Sequence, residues 1–549
     1  MVQGAVAALL QGVPILTLVA LAAAVGSVVA IRILLERPFT AGLRTRFVLG
    51  VPWGTVLTVL GLLLIYAVLQ GGWANPRDPL VLPFRTWGYD YLLGTVMAAF
   101  THNGWSHLIN NVTATVAFAG VAEYAWSHYP RERGTATFSS LGTNPYARIL
   151  AVPLFAVVVG LFTSLTGLGP LIGFSGVVFA FAAFAIVQAP IAAALGLVGI
   201  RIIRLLISTA MDPQQPAGIS QAVITPWWAE VAIQTHGVGF VAGLLAGIGY
   251  AVYRGEWANP LHVWFATLVF TISQGMWAIF VPLTGSSWLL LRWLGTALVF
   301  LLAVLAAVGA YRTDRLLLGR LDLHRRELAV GLLIVGIAAM SLAAIPFHVA
   351  AVGAEPAPNG VVEVRDYTVG YGENVPEGYV SAVDLPVGEI PVIDSSGVIV
   401  TNENRNMWRL SIPKERLAKQ GRGKVLIGGL GWRERVYADW VGWRVAGNHS
   451  VYKVFLARET GEWKQAYTSE PSRSAVVIAG YNLTLAPSDE EFTVTATAGN
   501  RTFGPVEVPE NGTTMPLGPI TLERDEQQLL ALHNGTRVPL ATRTEKEGS

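Results

Sequence analysis

Three short stretches hold most of the residues in this chain that could do chemistry. The first is Leu171-Ile172-Gly173-Phe174-Ser175-Gly176, where a serine between small residues opens an apolar run just after the Gly167-Leu168-Gly169-Pro170 turn. A hydroxyl is a poor nucleophile until a base takes its proton. The second stretch supplies a candidate base. His236 opens an apolar segment in which Gly239, Gly243 and Gly247 recur every four residues. A glycine ridge of that spacing lets another helix approach to backbone contact. If the partner is the helix that Ser175 begins, imidazole and hydroxyl meet in a buried cavity. The third stretch covers residues 100–111. His107 and Asn111 are four apart and share one face of a helix. Both can donate hydrogen bonds to a developing negative oxygen, and one such donor is worth about 3–4 kcal/mol in a transition state. The chemistry these groups could do together is nucleophilic acyl transfer.

Each stretch also has a plainer reading. Glycine and serine let helices pack closely in membranes generally. A histidine at a helix start can be a cap or a surface residue. The Gly-x-Ser-x-Gly elbow of α/β-hydrolases does not fit, because Val177 stands where its second glycine belongs. His102 and Asn110 face away from the side shared by His107 and Asn111 and read as structural.

The elements that must position these residues are membrane helices. Of 549 residues, 52% are hydrophobic and 13% charged, against about a quarter charged in an average soluble protein. About ten apolar segments of spanning length run roughly over 11–34, 48–70, 107–126, 147–167, 173–188, 190–210, 235–253, 261–283, 287–311 and 327–351. The short 173–188 segment reads as a central helix surrounded by protein. Arginines cluster after segments one, three, seven and nine, which places those loops in the cytoplasm if the segments alternate. The entrance to the Ser175 helix and everything after residue 352 then lie outside. Arg201 and Arg204 sit within segment six, at a depth that costs a few kcal/mol each unless they are paired or snorkelling. Pro226-Trp227-Trp228, in the 211–234 loop, can cap the site or anchor at the interface.

Composition changes after Glu355-Pro356-Ala357-Pro358. The remainder of the chain is polar, with short β-branched, often alternating runs separated by Gly, Pro and Asn, and reads as all-β and sandwich-like. Five sequons fall here, at Asn448, Asn482, Asn500, Asn511 and Asn534, in keeping with an outside location. The expected organisation is an extra transmembrane helix and cytoplasmic loop (1–47), a six-helix core (48–255), three further transmembrane helices (256–354) and an extracytoplasmic β-rich domain (355–549). A net charge of +2 implies no bulk attraction to nucleic acid, and without cysteine there is no disulfide, thiolate metal site or Cys nucleophile. No metal or cofactor is expected.

Taken as a set, these residues resemble the rhomboid intramembrane serine proteases. Gly173-Phe174-Ser175-Gly176 is similar to the family's Gly-x-Ser-Gly at the start of its fourth core helix. His236 with Gly239 and Gly243 is similar to the sixth-helix histidine and its glycines. His102, His107 and Asn111 follow the second-helix pattern, and Gly120 and Glu123 its inner end. The resemblance covers residues 48–255. It implies Ser175 as nucleophile and His236 as general base in a dyad without a third acid. His107, Asn111 and the Ser175 N–H would form the oxyanion hole. Phe179 stands where some relatives carry a tyrosine packed on the base. The family's Trp-Arg pair in the first outer loop is absent, and Arg85-Thr86-Trp87 is the nearest stretch. The implied activity is cleavage of transmembrane protein substrates, within the bilayer, near their extracytoplasmic ends, by a multi-pass protein of the cell membrane. The alternatives are a catalytically silent relative that binds membrane clients, and a transporter or receptor with an outer sensing domain.

Overall fold

The computed structural model describes residues 43–126, 138–140, 144–211, 233–282, 288–312, 316–318, 323–350, 352, 360–378, 394–447, 449–489 and 491–543, with scattered helical residues between 22 and 29. Most of segment one, the loop bearing Pro226-Trp227-Trp228 and Asn448 therefore lie outside the described residues. The chain divides into two compact units. A helical one extends to Val349 and a β-rich one begins at Ala350, a few residues before the expected boundary at 354/355.

The long helices of the first unit are α1 (Trp53–Leu64, running on as one π-helical stretch to Leu69), α2 (Trp105–Trp126), α3 (Pro145–Thr166), α4 (Ser175–Gln188), α5 (Pro190–Met211), α6 (Ile233–Arg254), α7 (Pro260–Ser273), α8 (Arg292–Gly309) and α9 (Arg325–Leu342). Among the described residues, five stretches are long and apolar enough to cross a membrane: Pro145–Thr166, Pro190–Ile207, Ile233–Arg254, Arg292–Gly309 and Arg325–Val349. The helical unit is thus that of a membrane protein. Trp53–Leu69, Ser175–Gln188 and Pro260–Ser273 are shorter apolar helices. α2 is as long as its neighbours but more polar, because it carries His107, Asn110, Asn111, Thr113, Thr115 and Glu123.

α4 is the hub. Residues 176–181 and most of those beyond are buried, on all sides of the helix, in agreement with the central, protein-enclosed position expected of the short apolar segment. A helix apolar all round must be enclosed by protein or lipid, and here α3, α6 and α7 set rings against it while glycines of α6 reach its backbone. Local chemistry fixes several ends. Asn144 accepts from the Tyr146 and Ala147 N–H groups and caps α3. The Glu123 carboxylate, from α2, accepts from the Gly54 and Thr55 N–H groups and the Thr55 hydroxyl at 2.8–3.0 Å, so it caps α1.

Two segments end earlier than their hydropathy suggests. The eighth stops being helical at Ser273. Gly275 takes φ +70°, and Phe280–Pro282 then pairs with Trp288–Leu290. A left-handed glycine is a common way to close a helix. The tenth breaks after Leu342 and resumes as Ile345–Val349. Pro346 has no N–H to give the Leu342 carbonyl, and its ring would clash there.

The β unit begins with a four-stranded antiparallel sheet, β1 (Val362–Val364), β2 (Tyr367–Pro376), β3 (Asp394–Asn402) and β4 (Met407–Pro413), joined in chain order. An eight-stranded sheet comes next. Its strands are β5 (Arg422–Gly429), β6 (Trp432–Val445), β7 (His449–Arg458), β8 (Lys464–Thr468), β13 (Thr514–Leu517), β14 (Ile520–Asp525), β15 (Gln528–His533) and β16 (Thr536–Arg543). The long β6 joins its halves, pairing with β5 and β7 along one stretch and with β16 near Val445. A second four-stranded sheet is made of β9 (Ser472–Ile478), β10 (Tyr481–Pro487), β11 (Phe492–Ala498) and β12 (Arg501–Glu507). Alternate residues Leu483 and Leu485, and Phe492, Val494 and Ala496, turn inward to share one core with Leu522, Leu529, Ala531 and Leu540 of the larger sheet. That two-layer core is the expected sandwich.

Candidate active site

α4 and α6 pack at backbone contact, and glycine makes this possible. A Cβ on Gly239 would lie 2.1 Å from the Gly176 carbonyl oxygen, and one on Gly243 would lie 2.1 Å from that of Ala180. No side chain fits there, so the ridge brings the top of α6 against the first turn of α4. The consequence is at the helix tops, where His236 Nε2 and Ser175 Oγ are 2.7 Å apart. When the hydroxyl donates to Nε2, the neutral imidazole carries its own proton on Nδ1.

The ring is held from one face. Phe179, one turn along α4 from Ser175, stacks on His236 with centroids 4.2 Å apart and planes at 15°. Phe270 of α7 backs that contact, edge-on to Phe179 at 5.1 Å and against Phe240 at 5.4 Å. A helix outside residues 48–255 therefore braces the ring beneath His236.

Opposite the histidine, Gly173 takes φ +125°, and a Cβ there would come within 2.5 Å of His107 Cε1. Only glycine suits both the dihedral and the approach. His107 Nδ1 accepts from the Asn103 N–H at 3.5 Å, which puts the proton of the neutral ring on Nε2. The first N–H groups of α4 have no partner within their own helix and form its positive end. A cavity of about 70 Å³ lies here, lined by His107, Gly173, Ser175, Thr235 and His236 with Ala98, Ala99, Thr163, Ser164, Leu171 and Ile172. It has room for a few waters.

The structure brings Ser175, His236, His107, Gly173, Gly176, Phe179, Gly239 and Gly243 to one place. Asn111 stands apart. It is buried one turn further along α2, its amide nitrogen meets no partner among the described residues, and it does not line the cavity. His102 is fully buried and edge-on to His107 at 5.1 Å, with its backbone bridged to the Gln70 amide. Glu123 lies at the opposite end of α2, as the cap of α1. Asn110 is exposed, and its carbonyl accepts from Arg204 at 3.3 Å. That bond partners one of the two arginines of segment six.

Sequence reasoning missed the residues that hold the loop before Ser175. Arg85 donates to the Pro170 carbonyl at 3.1 Å and to the Asn103 side chain at 2.8 Å. The Thr86 hydroxyl accepts from the Leu171 N–H at 2.8 Å, and the Gly173 N–H donates to the Ala98 carbonyl at 2.8 Å. Trp87 is buried and donates to Leu82. Arg85-Thr86-Trp87 is a poor match to the rhomboid Trp-Arg pair, yet its first two residues tie the stretch before α2 to the serine turn. Gln234, two residues before His236, grips the same loop. Among the described residues no cluster of His, Asp or Glu could hold a metal ion. No family model, curated protein or solved structure matches the chain.

Proposed function

We propose that the helical unit is an intramembrane serine endopeptidase of the rhomboid type, with a Ser175–His236 dyad. One observation carries the reading: a serine hydroxyl and an imidazole 2.7 Å apart, at the head of an apolar bundle and opening on a small cavity. Supporting it are the aromatic stack on the base and the glycines that force the two helices together.

A substrate transmembrane segment must unwind to offer its carbonyls, since an intact helix hides them. Ser175 Oγ then attacks the carbonyl carbon while its proton passes to His236 Nε2. His107 Nε2–H and the N–H groups at the start of α4 face the oxyanion, with Asn111 as the further donor that the resemblance implies. The C–N bond breaks as the imidazolium returns the proton to the leaving amine. Water attacks the acyl-enzyme by the same route and frees Ser175. The substrates are transmembrane proteins, and the chain is a multi-pass protein of the cell membrane whose site opens to the extracytoplasmic side. An ion or solute path along buried acids finds no support at Glu123, which is occupied as a cap.

The test is cleavage of a model membrane substrate in proteoliposomes, together with labelling by a fluorophosphonate. Wild-type protein should cleave and label. Ser175→Ala should do neither while still inserting. Undiminished cleavage by Ser175→Ala ends the proposal, and a wild type that neither labels nor cleaves moves the chain to the silent, client-binding class.

A further inference from the structure

The turn between α3 and Ser175 is held by residues with no part in the chemistry above. α3 ends at Thr166, so its last carbonyls lack helical partners. The Tyr89 hydroxyl donates to the Leu165 carbonyl at 2.8 Å. The Gln234 amide donates to the Thr166 carbonyl at 2.9 Å and accepts from the Leu168 N–H at 2.9 Å. His348 Nε2 donates to the Gly167 carbonyl at 2.7 Å. Four consecutive residues are each gripped by a side chain from elsewhere.

Two of these grips depend on the segment beyond α8. Gln234 also donates to the Met340 carbonyl in α9 at 2.8 Å. Met340 Sδ lies 3.2 Å from where a Gly237 Cβ would stand. His348 is 3% exposed. Its ring stacks on Tyr89 with centroids 4.7 Å apart and planes at 20°, and its carbonyl accepts the Tyr89 N–H at 3.3 Å. A carbonyl only accepts, so Nε2 must carry a proton and the ring's orientation is set. Gly167 leaves no slack, since a Cβ there would meet Thr235 Oγ1 at 2.7 Å.

We propose that the 340–348 segment is a clamp on the serine turn, and that His348 is a positioning residue for the dyad although it lies outside the six-helix core. Residues 165–168 lead directly into Gly173 and Ser175, and misplacement there moves the nucleophile against a base fixed on α6. The inference rests on the proposed peptidase reading for its effect on activity, but not for its effect on the turn.

Two variants separate donor from packing. His348→Phe keeps the stack on Tyr89 and removes the donor, whereas His348→Gln keeps an N–H in reach. Full-length protein in nanodiscs is read two ways, by the fluorophosphonate labelling rate at Ser175 and by deuterium uptake in peptides spanning 163–174. His348→Phe should label about ten- to a hundredfold more slowly, as expected when a reacting group is displaced by a fraction of its bond distance. It should lower kcat with KM within about twofold, and raise uptake in that peptide. His348→Gln should recover most of both. Uptake and labelling at wild-type levels in His348→Phe overturn the clamp. If the wild type does not label at Ser175, the peptidase reading fails, while the exchange result still decides the clamp. If His348→Phe does not insert, Tyr89→Phe, which loses the bond to Leu165 alone, should shift both readouts in the same direction. Wild-type values for Tyr89→Phe then overturn the proposal.

Discussion

The two units of this chain turn opposite faces to their surroundings. Large apolar side chains stand exposed along every long helix outside the buried α4, among them Leu60, Leu154, Val158, Leu195, Ile202, Val304 and Val335. In the β unit the large hydrophobics that are exposed, among the described residues, are Leu430, Trp463, Val477 and Met515. Most ion pairs among the described residues run the other way, the exceptions being Arg254–Glu256 and His324–Glu327. Arg405–Asp366, Lys414–Glu373, Arg422–Asp439, Arg435–Glu459, Arg458–Glu434 and Arg537–Glu523 all belong to the β unit. The helical unit is built for a solvent of lipid and keeps its polar groups for the interior, where they cap helices and hold one loop. The β unit is built for water and keeps its polar groups outside. In the helical unit an unexplained interior polar group therefore points to function, whereas a surface charge in the β unit does not.

The sharpest way to break that contrast is at His236, the proposed base. His236→Ala should lower cleavage by about 10²–10⁴-fold, the usual contribution of a general base, with insertion and the β unit's folding unchanged. Cleavage within about threefold of wild type would return His236 to a structural role. Asn111 comes next. Its buried amide nitrogen lacks a partner among the described residues, as a donor kept for a transient oxyanion would. Asn111→Leu should cost about 10²–10³ in kcat, the range for a lost oxyanion donor. Equal stability with full activity would show that the amide is idle, in keeping with its absence from the cavity wall.

The same contrast decides how much of the molecule is legible in its sequence. Ser175, His236 and the glycine ridge are legible because a polar residue or a repeated glycine stands out against an apolar run. The buried, short α4 is legible from its length. The β sandwich shows in alternation such as Phe492-Thr493-Val494-Thr495-Ala496. The grips on the serine turn are not legible. Tyr89, Gln234 and His348 bond to backbone atoms, which have no residue type, and they come from three places far apart in the chain. The pairing of β6 with β16 is hidden for a related reason, since their side-chain patterns would suit other neighbours too. Helix ends at Gly275 and Pro346 are signalled, but apolar residues on either side of each mask the break.

One substitution made twice sharpens the comparison. Leu485 in β10 is fully buried in the sandwich core, while Leu154 in α3 is 63% exposed. Leu485→Ala should destabilise the β unit by about 2–5 kcal/mol through lost burial and a residual cavity. Leu154→Ala should change the helical unit's stability in a bilayer by less than about 0.5 kcal/mol, because that side chain meets lipid in place of protein. Thermal unfolding in nanodiscs, followed separately for the two units, measures both. Equal losses would mean that Leu154 packs against protein, and the lipid-facing assignment of α3 would fall.

The smallest effect expected is alkaline and confined to the β unit. Desolvation, with the Glu373 carboxylate nearby, raises the Tyr467 phenol from 10.0 to about 12. Tyr371 is raised as well, again first by burial and then by Glu373. The folded unit holds both phenols neutral, whereas an unfolded chain lets them ionise near their ordinary value. The stabilisation is fully present below about pH 10 and is lost as pH rises toward the folded value. Denaturation midpoints of the β unit should therefore fall between about pH 10 and about pH 12. Tyr467→Phe should flatten part of that slope, because a ring without a hydroxyl has no proton to lose. A slope unchanged by Tyr467→Phe would mean that the phenolate reaches water without unfolding. The cluster of Tyr371, Tyr452 and Tyr467, whose rings lie 5.0 and 5.7 Å apart, would then be a wet rim instead of part of the β unit's dry interior.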